Sequence, residues 1–259
     1  MISESHRRQG WSRLFQSLSG WLLMGFFAGM DLMGESEAQR LSRVYEEARS
    51  GYQKSPGQST AAWVLARACF DRAESVSSKP VRIGLAKEAV DACRAALKEF
   101  PADVACHYYL GLNLGILAQA QPWRALSCIR EMETEWLTCQ LLEAGFDHAG
   151  ADRSLGMLYA QSPPPPLGMG SRSKARIHLA RAVALAPDYP ENSLQWIEFL
   201  VQRGEKEAAV EAFNGLEARI PEARKRLTGE SWVSTWKLWD TRTEALRGRL
   251  VAKGSSTAN

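Results

Sequence analysis

The stretch Asp152–Phe213 reads DRSLGMLYAQSPPPPLGMGSRSKARIHLARAVALAPDYPENSLQWIEFLVQRGEKEAAVEAF. It holds one pattern twice, helix–turn–helix, with small and large residues at matching offsets. Leu155, Gly156 and Tyr159 mark a first helix; Ala175, Leu179, Ala182 and Pro187 mark a second. Paired helices cross closely where residues are small, so Gly156 is expected to face Ala175 and Ala182, with Tyr159 and Leu179 beside them. Pro187 cannot continue a helix and turns the chain. Trp196, Ile197 and Leu200 then line a third helix, and Ala209 and Phe213 a fourth. Arg203-Gly204-Glu205 is the turn between them, with Gly204 where a helix end wants positive φ.

The same spacing runs upstream. Trp63, Ala66 and Phe70, then Ala89, Cys93, Ala96 and Pro101, give one unit. Its two helices are joined by a long connection, Ser75–Gly84. His107, Leu110, Gly111 and Leu114 open the next unit, whose second helix is set at Trp123–Gly145 with Cys128, Met132, Trp136 and Cys139 on one stripe. Landmarks of this kind resemble the tetratricopeptide repeat, in which a large residue, Leu-Gly, an aromatic and an Ala-x3-Phe-x2-Ala helix recur before a closing Pro. The expected fold is an all-α tetratricopeptide-like solenoid of about four units. Residues 39–229 are its repeat domain.

The flanks read differently. Glu37–Gln53 is a leading helix and Ser50–Thr60 a polar loop. Ile220-Pro221 breaks the pattern after Phe213. Residues 230–250 form a helix with Trp232, Trp236 and Trp239 on one stripe, laid as a cap on the last repeat because a solenoid must cover its end. Residues 251–259 form a disordered tail. In the insertion Ser162–Ser173, four consecutive prolines predict an extended segment, followed by mobile Leu167-Gly168-Met169-Gly170. Residues 1–38 read as a signal peptide or N-terminal anchor: Arg7, Arg8 and Arg13 precede the apolar run Leu14–Gly29, and Ser36-Glu37-Ala38 offers small residues for cleavage. Phe27-Ala28-Gly29-Met30 has the form of a lipoprotein box with Met30 where the lipidated Cys would stand.

Composition limits the function. The chain has 259 residues, 45% of them apolar and 24% charged, with a net charge of +3 and scattered basic residues, a pattern that gives no nucleic-acid footprint. Five cysteines lie in helical patterns, with no CxxC and no His at metal-ligand spacing, and read as small apolar fillers. The four histidines are far apart in sequence, and His107 reads as a packed residue. Asp152 is placed as a helix N-cap. No HExxH, GxxxxGK[ST], GxSxG or GxGxxG is present, so neither catalytic nor metal residues are assigned, no cofactor is expected, and the chain is read as a non-enzyme. The first helices of stacked repeats line a concave face. Trp63, Tyr108, Asn113, Arg153, Tyr159 and Trp196 are therefore the candidates for a ligand or partner groove.

A narrower likeness rests on Lys174, Ala175, Leu179, Ala182, Leu185, Pro187, Tyr189 and Asn192, preceded by the HYYLGLNLG run and the Pro-rich insertion. This combination resembles the TatT family, the T components associated with tripartite ATP-independent periplasmic (TRAP) transporters. The resemblance implies an exported helical-repeat protein in the periplasm, or held at the membrane by its N-terminal segment. It implies a protein partner such as a periplasmic solute-binding protein, an apolar ligand and homo-oligomerisation. The missing lipobox Cys argues against a lipid anchor at Met30. The alternative is a general protein–protein interaction scaffold without ligand, in the cytoplasm.

Overall fold

The computed structural model describes residues 36–166 and 168–251. The expected signal or anchor segment and the C-terminal tail lie almost wholly outside the described residues. Within them the chain is all-helical, with ten α-helices and one 3-10 turn, and helices adjacent in sequence pack in pairs within each unit. It divides into two compact units: Met1–Phe146 with Gln161–Gly170, and Asp147–Ala160 with Ser171–Asn259.

Unit 1 holds α1 (Glu37–Lys54), α2 (Ser59–Ser75), α3 (Lys79–Glu99), α4 (Val104–Ala120), a 3-10 turn (Pro122–Arg124) and α5 (Ala125–Leu142). Connections this short force neighbouring helices to run antiparallel. Ser36 starts α1 through a reciprocal cap: its hydroxyl accepts from the Gln39 amide at 3.3 Å and its own amide donates to Gln39 Oε1 at 2.9 Å. Asp103 caps α4 by accepting from the Cys106 amide at 2.8 Å.

The central element is α4, which packs on α2, α3 and α5. It is apolar on nearly every side, and its residues from Ala105 to Gly111, then Asn113 to Ala118, are buried. Close approach is possible because Gly111 has no side chain. A Cβ there would lie 2.3 Å from the indole nitrogen of Trp136 on α5. That indole is held in place by donating to the Tyr108 carbonyl at 3.2 Å. Each fully buried Leu or Trp in such a core adds about 1.5–3 kcal/mol.

Unit 2 holds most of α6 (Phe146–Gln161), then α7 (Arg172–Leu185), α8 (Pro190–Gln202), α9 (Lys206–Arg226) and α10 (Glu230–Val251). Gly204 turns α8 into α9 at φ 74°, the positive value read from the sequence. The closing helix α10 packs on α8 and α9, burying Trp236 and Trp239.

The sequence reading is corrected at several places. The long connection Ser75–Gly84 is three residues, 76–78: Pro80 sits in the first turn of α3, where its missing N–H costs nothing. The polar loop after α1 is 55–58, because the helix runs on to Lys54. The second helix set at Trp123–Gly145 is Ala125–Leu142, with Trp123 in the 3-10 turn before it. Pro221 does not end its helix; it lies exposed inside α9. Gly156 faces Leu179, whose Cγ would be 2.6 Å from an added Cβ, where Ala175 and Ala182 had been expected. The four prolines are not extended. The run bends at Pro165 and Pro166, and the carbonyls of Pro163 and Pro164 accept from Gly170 at 2.8 Å and Gly168 at 3.3 Å. Both glycines are required there, since a Cβ would lie 2.0 Å from the Ser162 oxygen at Gly170 and 2.6 Å from the Pro163 oxygen at Gly168.

Candidate functional site

The six groove candidates divide between the units. In unit 1, Tyr108 and Asn113 are buried, and Trp63 is partly covered and stacked on Tyr109 at 6.1 Å. Asn113 donates through Nδ2 to the Ala66 carbonyl at 3.0 Å and the Tyr109 carbonyl at 2.9 Å, tying α2 to α4. In unit 2, Arg153 and Tyr159 are buried, and partly covered Trp196 stacks on Phe199 with the Arg176 guanidinium 5.5 Å from its ring centre. Of these six, Arg153 leads to the most unusual chemistry.

Arg153 holds a strained turn. Asp147, His148 and Ala149 have φ of 48°, 56° and 61°, three consecutive left-handed residues without a glycine. The left-handed conformation costs such residues roughly 1–2 kcal/mol each, so the surroundings must impose it. Arg153 Nη1 donates to the carbonyls of Asp147 and His148, both at 3.2 Å, and to Asn192 Oδ1 at 3.1 Å. Its Nη2 reaches Asp147 Oδ2 at 2.8 Å. Asn192 Nδ2 in turn lies 3.0 Å from the His148 carbonyl and 3.1 Å from those of Ala182 and Ala186 at the end of α7. One amide therefore closes α7, locks the left-handed turn and orients Arg153.

The His148 ring stacks on Tyr189 at 4.3 Å, nearly parallel, and Arg153 lies 5.1 Å over the same ring. Burial, with Arg153 and Arg226 nearby and against the pull of Asp147, holds His148 below the usual histidine pKa. The imidazole is neutral at pH 7.

Aromatic contact continues from Tyr189 to Trp239 at 5.3 Å and Trp232 at 6.4 Å, and from Trp239 to Trp236 at 4.9 Å. Beneath this cluster lies Glu191, 3% exposed. It accepts from the Trp239 indole at 2.9 Å, Arg242 at 2.7 Å and Gln195 at 2.6 Å. Burial pushes Glu191 above the usual carboxylate range, against the pull of Arg242. Arg242 forks onto Glu198 with two bonds of 2.9 Å. Burial opposes its charge, and Glu191 and Glu198 more than offset that. This network fixes α10 to α8.

The fixed α10 forms one wall of an open groove of about 630 Å³ against the end of α9. Trp232, Val233, Trp236 and Leu227 supply its apolar surface, and Arg224, Lys237 and Asp240 its charge. Arg224 pairs with Asp240 and lies 4.2 Å over the Trp236 ring. Trp236 is held by its indole donating to the Leu227 carbonyl at 2.8 Å. Val233 stands 68% exposed at the rim. None of the six sequence candidates lines this groove. Its tryptophans had been read first as a cap, with partner binding or a membrane surface as the alternative, because an apolar stripe looks the same whether one edge of it stays open or not.

A second polar cluster in unit 2 corrects the reading of Asp152. It is not an N-cap but a fully buried carboxylate inside the helix, 2.8 Å from His178 Nδ1 and 3.5 Å from Arg181 Nε. His178 stacks on Tyr159, and Lys174, one turn earlier on α7, lies 4.7 Å over the same ring. The cluster ties α6 to α7. Among the described residues no group of three or more His, Cys, Asp or Glu is placed to hold a metal ion, and no helix is long and apolar enough to cross a membrane.

No family model matches the sequence, and no curated protein is similar to it.

Proposed function

We propose that this chain is a non-catalytic, tetratricopeptide-type protein that binds a protein partner through the α9–α10 groove. The observation that carries this reading is an open, aromatic-walled groove whose wall is held rigid by a buried ionic network. Rigid aromatic surface with an arginine at its edge is the usual composition of a protein-binding hot spot. The close helix crossings at Gly111 and Gly156 support the repeat assignment, since both sit at the Leu-Gly landmark. The groove accepts a peptide segment with an apolar anchor, which covers Val233 and Trp232, and a carboxylate, which meets Lys237.

The resemblance to the TatT family supplies the cellular setting of the proposal. The chain acts as an exported accessory of a TRAP-type transport system, its partner a periplasmic solute-binding protein and its ligand an apolar small molecule. A general scaffold without ligand is the alternative. Cross-linked pull-down from native cells, with mass spectrometry of partners and of the N-terminus, separates them. Recovery of an exported solute-binding protein by the parent chain, lost in W232A/V233E, is the expected result. Equal recovery by W232A/V233E removes the groove from the proposal. Cytosolic partners with Met1 intact move the reading to the scaffold.

A further inference from the structure

A different surface, at one end of unit 1, has a composition suited to a lipid interface. Helices α1 to α5 alternate in direction, so the start of α1, the 76–78 connection and the 121–124 connection share one end. Side-chain contacts agree: Arg82 at the start of α3 donates to Glu74 at the end of α2 at 3.1 Å and to Gln119 at the end of α4 at 2.9 Å. That clasp holds the two connections side by side.

At this end Trp123 protrudes on its 3-10 turn, 76% exposed, with Val81 43% and Leu126 37% exposed. Lys79, Arg82, Arg124 and Arg130 lie in the segments 74–82 and 119–131 with two carboxylates, Glu74, which Arg82 pairs, and Glu131, which Arg94 pairs; Glu37, at the start of α1, is matched by Arg40. Tryptophan prefers the headgroup level of a bilayer, and basic side chains beside it are drawn to anionic headgroups. The position of the preceding chain adds an independent argument. Residues 1–35, which carry the apolar run Leu14–Gly29 behind Arg7, Arg8 and Arg13, join the fold at Ser36 on this same end.

We propose that this end of unit 1 docks on the surface of an anionic phospholipid bilayer, with Trp123 at the headgroup level and Lys79, Arg124 and Arg130 facing the lipid phosphates. Where one apolar signal attaches a protein weakly, a basic patch as the second signal makes the attachment stable. The docking surface is that second signal, and the groove in unit 2 plays no part in it.

The test is flotation of the full chain with vesicles of phosphatidylglycerol and of phosphatidylcholine. The parent chain is expected to float with the anionic vesicles and to be released by salt. W123S/R124E, both at exposed positions, should partition at least about tenfold less. L141S, which alters an 86% exposed leucine at the far end of α5, should float like the parent. Undiminished flotation of W123S/R124E overturns the proposal, because residues 1–35 then carry all the attachment. So does equal binding of the parent to both vesicles. Hydrogen exchange on the unaltered chain provides a check independent of folding of the variant: vesicles should protect the amides of Lys79, Val81, Arg82 and 123–127, and unchanged exchange there also overturns it.

Discussion

At Gly111 the space for a side chain is already taken by the Trp136 indole, while at Gly115, one helical turn on, an added Cβ would meet only Met132 Cε at 3.5 Å, an ordinary contact. The two positions therefore answer alanine in opposite ways. G111A should destabilise the protein by about 1–3 kcal/mol through overpacking, and G115A should stabilise it by up to about 1 kcal/mol through helix propensity; chemical denaturation of both variants checks this. Asn192 is the residue on which the most backbone depends in unit 2. N192A removes one donor from three carbonyls, each of which keeps another, and one acceptor from Arg153, so a loss of about 1–3 kcal/mol is expected, read as a fall in the denaturation midpoint. His107 gives a pH signature. Its Nδ1 lies 2.5 Å from Glu135 and its Nε2 donates to the Pro101 carbonyl at 2.9 Å, so both nitrogens face acceptors. Burial disfavours its charge, yet these bonds outweigh burial and hold the pKa above the ordinary 6.5. A folded-state pKa raised above the unfolded one gives stability that is full below 6.5 and lost as pH rises through the folded value. The stability gap between parent and H107Q should accordingly be widest in acid and shrink toward alkaline pH; equal gaps throughout would contradict the charged form. His107 could be read as a packed residue from its landmark position, but Glu135 could not be read as its partner, since they are 28 residues apart on different helices.

Elements depend on how local preference and packing combine. Pro221 shows packing prevailing: helix α9 continues through it to Arg226, with Leu216 and Ala223 buried on either side. The proline still removes one helical N–H and crowds the preceding turn. P221A should therefore raise stability by about 1 kcal/mol or more, visible as a higher midpoint of thermal unfolding and slightly greater helical circular dichroism. At Pro80 the same residue type costs nothing, because the first turn has no N–H to lose. Sequence reading put Pro80 inside a long connection and took Pro221 as a break; the distinction is one of position within a helix whose start the sequence left uncertain. The opposite case is Asp147–Ala149. Nothing in the residues Asp-His-Ala predicts a left-handed turn, and the tertiary partners Arg153, Asn192 and Tyr189 impose it.

Across the whole chain, the five cysteines give a single accounting. All are buried, between 0% and 2% exposed, and none is in a disulfide. Burial pushes the thiols of Cys69 and Cys128 up, and contact with Cys93 together with burial does so for Cys106. The thiolate is the reactive form. A thiol reagent should label none of the five in the native protein and all five in guanidinium, and a label on native protein would show that a core opens. The filler reading of these cysteines was legible from the sequence, because each sits at a small-residue landmark or on an apolar stripe of a helix.

The sequence by itself determined the helices and most of their inward faces, because a helix's apolar stripe is set by residues three and four apart. It also determined the turn at Gly204, which depends on one residue's freedom to take positive φ. Only the tertiary structure decided which helix each small residue meets, what Asp152 bonds to and where the aromatic groove opens. Those are pairings between residues far apart in the chain, such as Asp152 with His178, Glu191 with Arg242 and Arg224 with Asp240, and no local pattern encodes the partner.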